Sequence, residues 1–379
     1  MSPPNLNIDK SSPVLVTGAT GYIAGVLIEQ LLELGLTVHG TVRDATNTQR
    51  LQYLTALADQ HPGSLKFSSA DLLEPGSFEE AMKGCSVVFH TASPFSNNVK
   101  DAQTELVEPA VNGTRNVLHQ ATQTPSVKRV VFTSSTVAIS ADSSDHHKRG
   151  YISEDDWNTT SSLDYQPYAL SKTQAEKTAW EIAKSQDQWT MVSVNPSFVM
   201  GPGVTHHKSS ESAIFFKRIA GGELASGCPN FDFGVVDVRD VARGHILAAF
   251  GGEKLEGRRY MLCGHNSNVW EMAVALRLKY SDYPLPVRNC ELMTVRVYQT
   301  CVCLSNHSLL YTTVPFFLLW LVAPYVGLSR RFVWNNINHK INFDNSRSME
   351  ELGLEYRSLE TTMQNMMQQF IELGVVSKK

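Results

Sequence analysis

Thr17-Gly18-Ala19-Thr20-Gly21-Tyr22-Ile23-Ala24 is the stretch on which the fold turns. It sets small residues at 18, 21 and 24, after an apolar run at 13–17 and before apolar positions that recur at helical spacing over 22–34, where Gly35 stops the helix. Strand thus gives way to helix across this turn. Gly18 suits the tight turn, Gly21 lets the backbone approach a pyrophosphate, and a small residue at 24 lets the helix pack close to the strand. The helix N-terminus then offers backbone N–H groups and a partial positive charge to an anion. A bare strand-to-helix turn can show the same glycines. Their place at the first βαβ crossover is what favours a dinucleotide, with Thr17, Gly18, Thr20, Gly21, Tyr22 and Ile23 as the residues in reach.

Working outward, a second strand is expected at 37–42 and others at 65–69, 86–90, 129–134 and 190–195, with helical patterns at 77–83, 101–122 and 167–185. This alternation implies an α/β fold, a Rossmann-type doubly wound parallel sheet covered on both faces. After Asn195 the rhythm loosens. Gly201-Pro202-Gly203 opens a smaller C-terminal substrate-binding lobe, and one more strand and helix are expected at 233–236 and 238–250. The expected division is a dinucleotide-binding domain over 10–196, to which 230–262 returns, and a substrate lobe over 197–229 and 263–376. No internal repeat or low-complexity tract interrupts it.

Composition agrees with a globular protein. With 379 residues, 42% hydrophobic and 18% charged, the chain can bury about three-quarters of its unfolded surface, which excludes disorder as its dominant state. Lys and Arg number 33 against 37 Asp and Glu, so no global cationic field exists to hold a nucleic acid. The six cysteines stand in a long chain whose residues 1–12 are polar, which suggests a reducing, cytoplasmic setting.

The end of the second strand bears on the choice of cofactor. An acidic residue there would bind the ribose 2′-hydroxyl of NAD. Here Val42-Arg43-Asp44 offers a guanidinium suited to a 2′-phosphate, so NADP(H) is favoured, and Arg50 could add a second cation. Asp71-Leu72, just past the third strand, could meet an adenine amino group, although an Asp here also serves as an ordinary cap.

Tyr168 and Lys172 stand four apart at the start of a helix and share a face. A phenol titrates near 10, and a neighbouring ammonium favours its phenolate, which is expected to bring it toward the working range. Upstream, the fifth strand ends in Thr133-Ser134-Ser135-Thr136, whose hydroxyls lie at the carboxyl edge where ligands bind. Each feature alone is weak. Glycine turn, strand-end serine and Tyr-x-x-x-Lys in that order are a far more specific conjunction.

With these residues the sequence resembles the extended short-chain dehydrogenases/reductases, in particular the group of dihydroflavonol 4-reductase, cinnamoyl-CoA reductase and related aldehyde or ketone reductases. Further matching stretches are Val88-Phe89-His90-Thr91-Ala92-Ser93-Pro94, Asn195-Pro196-Ser197-Phe198-Val199-Met200-Gly201-Pro202 and Val236-Asp237-Val238-Arg239-Asp240-Val241-Ala242. The likeness runs from 13 to about 286 and resumes near 314. It implies Ser135 as the catalytic serine, Tyr168 as the general acid and Lys172 as its activator. Arg43 and Arg50 would grip the 2′-phosphate, Thr91, Ala92 and Ser93 would line the cofactor trough, and Pro196 and Ser197 would border the nicotinamide. Tyr168 and Lys172 would touch the cofactor as well.

The resemblance implies NADPH-dependent reduction of a small carbonyl substrate to the alcohol. A 3β-hydroxysteroid-type dehydrogenase and a sugar-nucleotide epimerase or dehydratase share the fold, and a non-catalytic NADPH-binding sensor is the rival of another class. Epimerases usually retain NAD, against which Arg43 argues. A flavonoid substrate does not follow from the match. The oligomeric expectation is a monomer or homodimer.

Two late stretches stand apart. Residues 290–313 hold three of the six cysteines and match nothing in the family, as an insertion loop or a retained intron would; sequencing the mature transcript decides between them. The apolar run at 314–328 is shorter than the roughly 20 residues of a spanning helix and contains Pro315 and Pro324. The family carries an apolar segment at this point, so a buried or cleft-lining helix is expected there, with peripheral membrane contact as the alternative. Histidine pairs in loops, such as His146-His147 and His206-His207, are more often solvated than metallated, and Cys290, Cys301, Cys303 and His307 offer the right ligand types at irregular spacing, so no metal is expected.

Overall fold

The computed structural model describes residues 6, 8–94, 99–148, 150–204, 210–229, 231–290, 320–321, 323–326 and 329–378. Seven parallel strands form the central sheet: β1 (Val14–Val16), β2 (Thr37–Val42), β3 (Ser64–Ser69), β4 (Val87–His90), β5 (Arg129–Thr133), β6 (Thr190–Pro196) and β10 (Arg259–Leu262). Their order across the sheet is β10-β6-β5-β4-β1-β2-β3. The chain therefore winds outward from β1 in both directions, and the order reverses between β1 and β4. In open parallel sheets ligands bind beyond the strand carboxyl ends at such a reversal.

Every side chain of β1, β4 and β5 is buried, as strands with both faces covered require. The layers over them are α1 (Tyr22–Glu33), α2 (Thr48–Ala58), α3 (Glu79–Met82), α4 (Glu108–Gln123), α5 (Pro167–Lys184) and α7 (Val238–Phe250). One core joins α1, α7, β1 and β2 through Leu27, Leu31, Val38, Ile246 and Phe250. The core of the opposite face holds Leu15, Met82, Val117, Ala179 and Trp189. The expected helix at 101–122 is less regular than its apolar pattern suggested. A π-helical turn over Gln103–Val107 precedes α4, whose first turn carries Pro109.

A smaller body follows. Here β7 (Phe198–Met200) pairs in parallel with β9 (Asp232–Asp237), and β11 (His265–Asn268) pairs antiparallel with β9. Helices α6 (Glu211–Ala220), α8 (Val269–Tyr280) and Leu359–Glu372 enclose a second core with Phe216, Met272, Leu276, Met363 and Met367. Within 230–262, β9 thus belongs to the small sheet, whereas β10 closes the edge of the large one. Among the described residues no helix is long and apolar enough to cross a membrane. The stretch 291–319, with most of the insertion and the first part of the apolar run, lies outside the described residues.

Candidate active site

The turn from β1 into α1 carries Gly18 at φ +67°, a left-handed conformation that glycine adopts without strain. A Cβ at Gly18 would stand 3.1 Å from the Ala92 Cβ, so the turn and the end of β4 are in close approach. Gly21 is exposed and in extended backbone, and no side chain caps the N-terminus of α1. Thr17 is fully buried; its hydroxyl bonds His90 Nδ1 at 3.0 Å and accepts from the Ala92 amide at 3.0 Å. Thr91 donates to the Thr17 carbonyl. These two threonines therefore fasten β1 to β4 and fix the trough rather than reach into it. Thr20 and Ile23 stay half-buried at the turn, and the Tyr22 hydroxyl donates to the Gly201 carbonyl, tying α1 to the second body.

Arg43 and Arg50 are both exposed, and among the described residues neither guanidinium has a hydrogen-bond or ion-pair partner. Two such cations at the end of β2 and the start of α2 could hold a phosphate. Asp71 accepts from the Leu73 amide at 2.8 Å, so one carboxylate oxygen serves a turn. Leu72, Ala92, Ser93 and Lys172 line one cleft together with Gly113 and Thr114 of α4. Sequence reasoning missed those two, because a small residue on a helix carries no signal until the residue packed against it is known. A Cβ at Gly113 would stand 3.2 Å from the Leu72 Cβ. An uncapped helix terminus, a glycine cradle and two free guanidiniums fit a dinucleotide phosphate chain with a charged ribose end.

The chemistry-bearing side chains sit just beyond β5 and on α5. Ser134 and Ser135 separate cleanly. The buried Ser134 donates to Glu176 Oε2 at 2.6 Å, whereas Ser135 is half-buried, 3.4 Å from the Pro196 carbonyl, and accepts from the Val137 amide. The Ser134 hydroxyl is thus committed to the buried Glu176, and the Ser135 hydroxyl is not. Pro196 serves by its backbone, and the Ser197 hydroxyl lies against the Cys263 thiol.

Tyr168 and Lys172 share one face of α5, with the ammonium 6.0 Å from the ring centroid. Burial, reinforced by Glu211, pushes the Tyr168 phenol up to about 12 although 37% of the residue remains accessible. The group is crowded by protein atoms, yet the residue still reaches solvent. The expectation that Lys172 draws the phenol down is therefore not met in this arrangement, because burial outweighs an ammonium at that distance. Lys172 itself is pushed down to about 8 by burial, against which Glu176 pulls it up.

Glu176 was not read from the sequence. It is fully buried one turn beyond Lys172 and accepts from Ser134, Ser193, Asn195, Trp180 and Arg259. Burial raises its carboxyl, but the Arg259 charge and these hydrogen bonds outweigh burial and hold it below the usual range. Its i, i+4 spacing from Lys172 was the available signal. Among the described residues no group of three His, Cys, Asp or Glu is placed to hold a metal ion; the His146, His147 and Cys290 side chains, His206-His207, Cys301, Cys303 and His307 lie outside them.

Comparison with known proteins bears on this geometry directly. Residues 14–263, from β1 past the end of β10, match the NAD dependent epimerase/dehydratase family. The chain belongs to that family. Cinnamoyl-CoA reductase CAD2 of Medicago truncatula is 38% identical over 276 residues, covering 72% of this chain and 82% of that protein. Anthocyanidin reductase of Arabidopsis thaliana is 33% identical over 289 residues, with 72% and 82% covered. The structure of Gre2 from Candida albicans in complex with NADPH superposes with a TM-score of 0.71 at 28% identity, covering 95% of this chain and 99% of that one. As a member of this family, among the extended short-chain dehydrogenases/reductases, the protein is an NAD(P)-dependent reductase.

Proposed function

We propose that the protein reduces the carbonyl of a small aldehyde or ketone to the alcohol with NADPH, using Ser135, Tyr168 and Lys172. The observation that carries this reading is a protonated Tyr168 sharing a face of α5 with Lys172, which lines a cleft with Leu72, Ala92 and Ser93, while Ser135 follows the end of the neighbouring strand β5. NADPH, when bound, supplies hydride from its nicotinamide ring to the carbonyl carbon. Tyr168 donates its phenolic proton to the carbonyl oxygen, and Ser135 steadies that oxygen with a hydrogen bond. A phenol that keeps its proton at neutral pH suits the reductive direction. Lys172 presents positive charge beside the phenolate that remains. Gly18, Thr20, Gly21 and Ile23 would hold the pyrophosphate, and Arg43 with Arg50 would hold the 2′-phosphate and select NADPH over NADH. Residues 10–196 would form the cofactor domain and 263–376 much of the substrate lobe.

The NADPH bound to the Candida albicans neighbour and the reductase names of the plant relatives support this assignment. Cys85, Cys228 and Cys263, all buried free thiols, support a reducing, cytoplasmic setting. The test is NADPH oxidation against isovaleraldehyde, a hydroxycinnamoyl thioester and a dihydroflavonol. Tyr168→Phe is expected to abolish turnover while NADPH still quenches the protein's fluorescence with unchanged affinity. Full activity in that variant overturns the mechanism, and NAD found bound to the purified protein would favour an epimerase instead.

A further inference from the structure

Immediately before Pro167 and Tyr168, Gln166 lies at φ +52°, in the left-handed region. For a side chain other than glycine this is strained, and a following proline disfavours it further. Strain of this kind persists only where surrounding contacts over-determine it, and it concentrates at functional sites. The contacts are on view. Gln166 Nε2 donates to the Ala141 carbonyl at 3.0 Å and to Asp142 Oδ1 at 2.8 Å. Asp142 is 1% exposed and collects three more donors: the Tyr165 hydroxyl at 2.5 Å, Asn335 Nδ2 at 2.9 Å and Asn336 Nδ2 at 3.0 Å. All four partners donate, so Asp142 acts purely as an acceptor. Burial, and then Asp142, push the Tyr165 phenol up to about 12, which keeps its proton in place for this bond.

The hub therefore joins three pieces of chain. One is the segment that leaves Ser135 through the turn Thr136–Ala138. Another is Tyr165-Gln166, which leads directly into α5. The third is the helix Arg330–Asn336, further fixed by Arg331 stacked 4.1 Å from the Tyr165 ring centroid and by the Ser143 amide on Asn336 Oδ1. Nothing in the hub reaches the cleft occupied by Lys172. Its geometric effect falls on where α5 starts, and Tyr168 is the second residue of that helix.

We propose that Asp142 and Gln166 are positioning residues for Tyr168: by holding Gln166 left-handed they set the first turn of α5, and with it the place of the phenol relative to Ser135. The same hub makes that placement depend on the seating of the helix Arg330–Asn336. This inference rests on the reading of Tyr168 as the proton donor.

The experiment uses the full chain with NADPH and whichever of the three carbonyls above turns over fastest, beside amide hydrogen exchange over 167–171. For Gln166→Ala, kcat is expected to fall roughly tenfold or more, as a misplaced reacting group predicts. KM for NADPH should stay within about twofold, since no phosphate contact changes. Exchange over 167–171 should accelerate. Gln166→Gly is expected to lose less than Gln166→Ala, because glycine takes this φ without strain. Asp142→Asn, which keeps the shape and one acceptor oxygen, should retain most of the kcat that Asp142→Ala loses. Should Asp142→Ala fail to fold, the two Gln166 variants decide. Unchanged exchange over 167–171 in Gln166→Ala overturns the inference whether or not a carbonyl is turned over. Wild-type kcat in Gln166→Ala with an inactive Tyr168→Phe overturns it alone, whereas an active Tyr168→Phe overturns the underlying reading.

Discussion

Glu176 shows how one buried residue can govern the ionisation of another. It stands one turn from Lys172, and its buried pair with Arg259 is completed by the Trp157 ring stacked 3.9 Å from the guanidinium. Burial pulls Lys172 down to about 8, and the carboxylate works against that pull. With Tyr168 protonated well beyond neutrality, the first proton lost from the pair Tyr168 and Lys172 as pH rises is the ammonium's. Reductive kcat/KM is therefore expected to fall above about pH 8. In Glu176→Gln the opposing charge is gone and burial acts alone, so this limb should move to lower pH. The same variant leaves Arg259 buried without its counter-ion and should lose about 3–5 kcal/mol of stability in urea unfolding. A lost stability with an unmoved limb would reduce Glu176 to a purely structural group.

At the scale of elements, the β1–α1 turn gives the sharpest expectation. Alanine at Gly18 must adopt φ +67° and bring a Cβ to 3.1 Å from that of Ala92. Gly18→Ala should cost about 1–2 kcal/mol of stability. It should also weaken NADPH binding, measured by fluorescence titration, more than it changes kcat at saturating cofactor; an unchanged affinity would mean that the turn does not hold the phosphates.

This turn was legible because strand, glycines and helix follow one another along the chain, and the strands from β1 to β6 were legible for the same reason. Strand β10 was not. It opens with Arg259, a charge that belongs in solvent until Glu176, 83 residues earlier, is seen to pair with it inside the fold. Helix α2 also escaped, since it buries only Leu51 and Leu54 and so shows little apolar face. Within the site, Tyr168 and Lys172 are local in sequence and could be read. Their ionisation could not, because it depends on burial. The hub at Asp142 draws on Gln166, 24 residues away, and Asn336, 194 away, a separation that no spacing rule spans.

For the molecule as a whole, two buried histidines, His90 at the end of β4 and His245 in α7, couple folding to acidity. His245 is fully buried in α7; its Nδ1 meets the Val241 carbonyl at 2.8 Å, which can only accept, so Nδ1 carries the proton and Nε2 accepts from Thr133 at 2.7 Å. Burial pushes it down to about 4, and burial together with the Lys172 charge pushes His90 down to about 3. An unfolded histidine titrates near 6.5. Between that value and about 4, the unfolded chain therefore carries a proton at each of these positions that the folded chain excludes. Stability is fully present above about pH 6.5 and falls as the pH drops through this window, by about 1.4 kcal/mol per pH unit for each histidine. Buried carboxyls raised by burial, such as Glu154 and Asp240, act in the opposite sense, so the total slope is a mixture. The difference between two proteins isolates one group. In His245→Gln, whose amide can still bond Thr133, the slope of unfolding free energy against pH between 6.5 and 4.5 should fall by about 1.4 kcal/mol per unit relative to the parent. Equal slopes would show that His245 already takes up its proton in the folded protein, and that the Thr133 and Val241 contacts open to admit it.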